Sequence, residues 1–116
     1  MGGFMICQLW DHSKPISMGI PHTDRSAFYS WKGKVFFSAT MRGDTLDCHV
    51  AAKGRNKLLL REAINQFCQY MFLTYSQCNK IAACVKMKSV RNLCLKCGFV
   101  KIADINDSEV LVRWAE

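Results

Sequence analysis

The chain has 116 residues, of which 50% are hydrophobic, and a formal net charge of +7. This length suits a single domain, residues 1–116, and the hydrophobic content excludes a disordered chain. No apolar run reaches the roughly 18 residues that span a membrane, and the start MGGFMICQLW lacks the basic leader of a signal peptide. We therefore expect one cytoplasmic domain without membrane contacts.

The first half of the chain predicts strands. Residues 4–10 form an apolar run typical of a buried strand, whereas residues 11–25 contain both prolines and are expected to be irregular. Three strands then follow at residues 27–31, 35–41 and 45–51, joined by the glycine turns KGK and RGD. In the last of these strands, Asp47 and His49 share the face opposite to that of Cys48.

The pattern changes to a helical period at Asn56. The segment NKLLLREAINQFCQYMFLTY repeats its apolar residues every three or four positions, with Asn56 as the predicted N-cap. A strand at residues 80–87 precedes a short helix that starts at the predicted N-cap Ser89 and ends before Gly98. A closing hairpin completes the order β-β-β-β-α-β-α-β-β, an α/β fold with a mixed, mostly antiparallel sheet flanked by helices.

Cysteine usage favours a reducing compartment. The seven cysteines are scattered through apolar segments, which is typical of buried free thiols rather than of a disulfide framework. Cys94 and Cys97 form a CxxC pair, and redox and metal roles are the alternatives. A redox pair normally starts at a helix N-terminus, whereas this one lies at a C-terminal end. A zinc site needs two further ligands, so we predict no metal site.

Positive charge is concentrated between Lys53 and Lys101, where ten lysine or arginine residues accompany one acid, Glu62. This asymmetry favours an anionic partner, either a phosphorylated cofactor, a nucleic acid or an acidic protein surface. A solvated basic surface without a partner is the alternative. No nucleic-acid motif is present, and the nearby aromatic residues fall mostly at helical spacing, which is typical of a core.

The junction VAAKGRNKLLLREA adds a candidate anion site. A strand leads through a basic, glycine-containing turn into a helix, whose first backbone N–H groups would point at the ligand. The side chains of Lys53, Arg55 and Lys57 would add positive charge. This geometry suits a pyrophosphate.

The order of elements, the basic turn before the long helix and the Gly98-Phe99 ending of the short helix resemble the GNAT superfamily of N-acetyltransferases over residues 27–114. Within it the chain is most similar to small phage proteins related to the internal virion protein of T7-like phages. The family's short helix carries N-x-x-A-x-x-x-Y-x-x-x-G-F, and Val90 stands here at its alanine position. Met87 replaces its asparagine, and Cys94 replaces its tyrosine.

The resemblance implies acetyl-CoA as the cofactor, held where the fourth and fifth strands splay apart and at the turn that follows the fourth strand. The implied cofactor residues are Val50, Lys53, Gly54, Arg55, Asn56, Lys57 and Leu58. The turn lacks the later glycine positions of the family's Q/R-x-x-G-x-G/A pattern. In the family, the tyrosine at the position of Cys94 protonates the leaving thiolate.

Two functions follow from the resemblance. In the first, the chain acetylates a protein or a small amine, with Asp47 and His49 as candidate bases and Cys94 as the candidate acid. In the second, it is a degenerate GNAT-like module, a virion or host-takeover protein, that binds a protein or nucleic acid through its basic face. The expected location is then the host cytoplasm or the virion.

Overall fold

The computed structural model describes residues 5–52 and 57–115. Within these residues the chain forms seven strands and three helices, in the order β1 (Ile6–Leu9), α1 (Ser13–Ser17), β2 (Ala27–Trp31), β3 (Val35–Arg42), β4 (Thr45–Ala52), α2 (Lys57–Thr74), β5 (Lys80–Val85), α3 (Lys88–Lys96), β6 (Val100–Ile105) and β7 (Ser108–Trp114). None of the described helices is long and apolar enough to cross a membrane.

The strands form one sheet in the order β1-β2-β3-β4-β5-β7-β6. Only β4 and β5 pair in parallel among the described strands, because α2 carries the chain back across the sheet between them. The other neighbours are antiparallel, and most are joined by short turns. The predicted α/β class with a mixed, mostly antiparallel sheet is confirmed.

The main core lies between one face of this sheet and the helices α2 and α3. Phe67 of α2 is 1% exposed and stacks on Phe37 of β3, with ring centroids 4.1 Å apart. Tyr29 of β2 meets the edge of the same Phe67 ring at 6.0 Å. On β4, Leu46 and Cys48 face this core, as the alternation of the sequence predicts.

The opposite face of the sheet is covered only in part, by α1 and the segment that follows it. Ile20 packs there against Phe28 and Phe36 over strands β2 and β3. The Ser38 hydroxyl donates a hydrogen bond of 2.8 Å to the carbonyl oxygen of Pro21 and fixes this segment to β3. The cover ends before β5, and this leaves an open region over β4 and β5.

Several turn residues adopt positive φ angles, which glycine and asparagine tolerate and which Lys32 adopts despite its side chain. Lys32 and Gly33 (φ 53° and 66°) join β2 to β3, and Asn106 (φ 54°) joins β6 to β7. Gly98 (φ 88°) ends α3, because the N–H of Phe99 donates to the carbonyl of Cys94 across the helix terminus. The predicted position of Gly98 just past the helix is confirmed.

Three local predictions were wrong. The run at residues 4–10 was predicted to be a buried strand, but only Ile6 is buried in β1. Residues 11–25 are not wholly irregular, since they contain the single-turn helix α1. The N-cap of α3 is Met87 rather than Ser89, and no side chain caps this helix. The predicted N-cap of α2, Asn56, lies outside the described residues.

Candidate functional site

The central feature of the candidate site is a divergence between the parallel strands β4 and β5. Their pairing runs from Thr45–Lys80 to Cys48–Ala83 and ends there, although β4 continues to Ala52. A gap therefore opens at the carboxyl ends of the two strands. In open α/β sheets this is where ligands bind, because backbone groups at the strand ends are accessible to them.

Three of the predicted cofactor residues, Val50, Lys57 and Leu58, belong to the elements that follow the last β4–β5 pair. Val50 follows the last β4–β5 pair on the core face of β4 and is half-buried. Lys57 and Leu58 begin α2, so the helix starts where the basic turn was predicted to bind an anion. The four turn residues Lys53 to Asn56 lie outside the described residues, and their predicted contacts with an anion stay predictions.

A cleft of about 330 Å³ opens over β4 and β5 on the face opposite to α2 and α3. One part of its wall comes from β3, β4 and the N-terminal segment, and the other from β5, β7 and the end of β6. The lining side chains include His22, Thr23, Thr40, Arg42, Asp47, His49, Cys84, Ile105 and Val110. The structure therefore brings the candidate bases Asp47 and His49 together at one open site.

Asp47 is held by a neighbouring cation. The Arg42 guanidinium donates through Nε to Asp47 Oδ2 at 2.6 Å, and the two side chains are 62% and 38% exposed. Thr40 is the cross-strand partner of Asp47 on β3. Since this ion pair faces water, its contribution to stability is about 0–1 kcal/mol. Its main consequence is to orient the carboxylate at the mouth of the cleft.

His49 is a suitable proton acceptor. Its side chain is half-buried, and this burial lowers its pKa below the ordinary value of 6.5, while the Asp47 carboxylate partly opposes the shift. The imidazole is therefore neutral near pH 7 and can take up a proton. Thus Asp47 both lies beside His49 and stabilises the imidazolium that would form.

His22 is a cleft residue that the sequence did not predict. Its Nδ1 lies 3.0 Å from the carbonyl oxygen of Ile20, so Nδ1 carries the hydrogen and Nε2 is the basic nitrogen of the neutral ring. The ring also lies 5.6 Å from that of Phe28, centroid to centroid. No spacing pattern signals this residue, because its segment reaches β4 only through tertiary packing.

Cys94 lies away from these groups. It is 3% exposed, belongs to the core on the α2 and α3 side, and does not line the described cleft. Burial raises the pKa of its thiol to about 12, so the thiol keeps its proton at neutral pH. Cys97 is buried as well, and its Sγ donates to the carbonyl of Arg61 at 3.4 Å. Neither thiol has the lowered pKa of a redox cysteine.

Metal binding has no support among the residues that the structure describes, where no group of three or more His, Cys, Asp or Glu side chains could hold an ion. All seven cysteines are free, and five of them are buried. The cleft thus contains three side chains that can take part in proton transfer, His49, His22 and Asp47, together with the exposed thiol of Cys84.

Solved N-acetyltransferases share this architecture. PseH, an N-acetyltransferase from Campylobacter jejuni, superposes with a TM-score of 0.67 and 12% identity, over 81% of this chain and 71% of its own. AAC(6')-Ib, solved with ribostamycin and coenzyme A, superposes with a TM-score of 0.66 and 10% identity over 78% of this chain. This chain spans 65% of the length of AAC(6')-Ib. A chimera of the spermidine N-acetyltransferase SpeG from Vibrio cholerae and hSSAT superposes with a TM-score of 0.63 and 16% identity, over 89% of this chain and 72% of the chimera.

Sequence comparison adds no closer relationship, since no protein-family model and no curated protein matches the chain. At identities of 10–16% the solved structures establish the fold alone. The chain therefore has the GNAT-like fold predicted from its order of elements, with a cleft beside the β4–β5 gap.

Proposed function

We propose that this protein is an acetyl-CoA-dependent N-acetyltransferase that acts on an amine of a protein or of a small molecule. The observation that carries the proposal is the divergence of β4 and β5 beyond Cys48 and Ala83, directly beside a cleft that contains His49. The GNAT-like fold supports it, because AAC(6')-Ib, which shares that fold, was solved with coenzyme A.

The chain fits such a cofactor in two respects. The gap between the strands leaves the end of β4 accessible next to Val50, and α2 starts at Lys57 just beyond it. Lys53, Gly54, Arg55, Asn56, Lys57 and Leu58 are the residues proposed to hold the pyrophosphate. When bound, acetyl-CoA supplies an acetyl thioester, whose transfer to an amine releases a thiol.

Proton transfer is assigned to the chain's own side chains. His49 accepts the proton that the attacking amine loses, since its lowered pKa keeps it neutral near pH 7. Asp47 stabilises the protonated imidazole from the same face of β4. Cys94 stands at the family's proton-donor position, but it lies on the core face, and its raised pKa makes its thiol a weaker acid than an ordinary thiol, so its role as the donor to the leaving sulfur stays a prediction from the resemblance.

Calorimetric titration with acetyl-CoA tests the proposal. The variant Lys53→Glu/Arg55→Glu/Lys57→Glu should bind at least about tenfold more weakly, because each substitution replaces a cation that would face the pyrophosphate with an anion that repels it. The variant Lys14→Glu/Arg25→Glu/Lys80→Glu changes the net charge equally on α1, before β2 and at the start of β5, where Lys80 pairs with Thr45 at the end of the strands opposite to the gap, and it should bind as the wild type does. Absence of binding at millimolar acetyl-CoA would overturn the enzyme proposal.

The competing function is a binding module that uses the basic face between Lys53 and Lys101. It is favoured by the exposed lysines at positions 86, 88 and 96 and by the cysteine that replaces the family's tyrosine. Contact with nucleic-acid phosphates predicts a steep loss of affinity with salt in a gel-shift assay. The relation to phage proteins, a virion location and a protein partner stay predictions from the sequence resemblance.

A further inference from the structure

The strand β6 is an unusual edge of the sheet. It occupies one end of the strand order, and all six of its residues are exposed. Three of these are large and apolar, since Val100 is 48%, Ile102 56% and Ile105 54% exposed. An edge of this kind presents unpaired backbone N–H and C=O groups, which readily pair with another strand.

A β-bulge determines how the side chains of β6 are arranged. The pairing with β7 shifts between Lys101 and Ala103, so that Lys101 lies opposite Leu111 and Asp104 opposite Glu109. Because Leu111 and Glu109 are two residues apart on β7, they share a face, and so do their partners. Lys101 and Asp104 therefore lie together on the helix face of the sheet, with their charged groups 2.9 Å apart.

The other face of β6 is apolar. Val100, Ala103 and Ile105 lie opposite Val112, Val110 and Ser108, which places them on the cleft face. That face continues across β7 to Trp114, which is 51% exposed. The edge thus combines an apolar stripe on one face with a pair of opposite charges on the other.

This arrangement is self-complementary. If β6 of a second copy pairs antiparallel about a two-fold axis between Ile102 and Ala103, Lys101 meets Asp104 of the other copy, and Val100 meets its Ile105. Residues directly opposite one another in paired strands must lie on the same face of the sheet, and both of these pairs do. A shift of the register by one residue would lose both pairs.

We propose that two copies of this chain form a two-fold symmetric dimer by pairing their β6 strands into one continuous sheet. Lysine on an edge strand normally prevents such pairing, but here each lysine would meet an aspartate. The opposite edge, β1, has only four residues, and pairing of β6 with β1 would produce open filaments rather than a closed dimer.

Sedimentation over a wide range of protein concentration tests the dimer. The wild-type chain should dimerise, whereas Lys101→Glu alone and Asp104→Lys alone should each weaken the dimer by roughly tenfold or more, because each places like charges opposite one another twice. Lys34→Glu reverses an exposed lysine in the turn between β2 and β3 and should leave the dimer intact.

Mixing the two single variants separates this register from a general loss of stability. In a mixed dimer the introduced glutamate faces the introduced lysine, and Asp104 of one variant faces Lys101 of the other, so that association should return. No contact within one chain can produce this recovery. A wild-type chain that stays monomeric, a concentration-dependent filament, a dimer that survives both reversals, or a mixture that does not associate would each overturn the proposal.

Discussion

The two faces of β4 differ in burial and in the chemistry of their side chains. Leu46 and Cys48 point into the core under α2 and α3, and are 1% and 8% exposed. Asp47 and His49, one residue along from each, point into the open cleft. On the core face burial raises the pKa of the Cys48 thiol, and on the cleft face it lowers the pKa of His49.

The cause of this difference is what covers each face. Two helices with apolar surfaces cover the core face, so groups there are desolvated and serve stability. The cleft face is covered by one turn of helix and a loop that end before β5, so groups there keep access to a ligand. We infer that mutations on the core face will change the free energy of unfolding, whereas those on the cleft face will change activity.

The largest effect should come from the core side. Phe67→Ala should lower the free energy of unfolding by about 3–5 kcal/mol, because it removes a buried ring and leaves a cavity beside Phe37. Guanidinium denaturation measures this change. Leu73→Ala is the matched control on the same helix, since Leu73 is 75% exposed, and it should cost no more than about 0.5 kcal/mol. Equal losses from the two variants would contradict the assignment of the core.

A cleft substitution should show the reverse behaviour. His49→Ala should lower kcat for acetyl transfer by about 10²–10⁴-fold, which is the typical contribution of a general base, with little change in denaturation midpoint. Steady-state kinetics with a panel of amines measures the loss. This prediction depends on the proposed activity, which the cofactor titration tests separately.

Two further variants, His22→Ala and Cys94→Ala, test the assignment of the base and of the proton donor. If His22→Ala abolishes activity and His49→Ala does not, the base has been assigned to the wrong histidine of the cleft. Cys94→Ala tests whether Cys94 is the proton donor. If it is, this substitution should also lower kcat. A change in stability alone would make Cys94 a core residue only.

The order of strands and helices could be predicted from the sequence, because the local preferences of these segments agree with their places in the tertiary structure. The apolar period changes from two to three or four residues at the start of α2, and glycine or asparagine stands at the turns that need positive φ angles. The helix α1 was missed, since five residues are too few to show a period. Ser89 was misassigned as the N-cap because α3 begins one residue before it.

Only those site residues that lie on one strand could be predicted from the sequence. Asp47 and His49 follow from alternation along β4. Arg42 reaches the cleft from the end of the neighbouring strand β3, and His22 reaches it from the segment after α1, which is distant in sequence. Cys94 was correctly predicted to lie in the short helix, but its spacing from Gly98 does not predict that its thiol is buried in the core. The role of the turn from Lys53 to Asn56 stays a prediction.

The smallest expected effect is a pH dependence that separates the two faces. His49 has a lowered pKa in the folded protein, so the unfolded chain takes up its proton first and stability falls as the pH drops below about 6.5. Cys48 has a raised pKa, so the unfolded chain loses its proton first and stability falls as the pH rises above about 9. His49→Gln should flatten the acid side of the profile and Cys48→Ala the alkaline side.

Urea midpoints measured across this pH range test both limbs in one experiment. Cys68 and Cys94 also contribute on the alkaline side, because burial raises the pKa of each to about 12, so Cys48→Ala should remove only part of that slope. Asp11 and Asp44 also have lowered pKa values and contribute on the acid side at lower pH, so His49→Gln should flatten only the part of the limb just below about pH 6.5. An acid slope unchanged by His49→Gln would therefore show that the imidazole is solvated like an ordinary surface histidine, which would also weaken its assignment as the base.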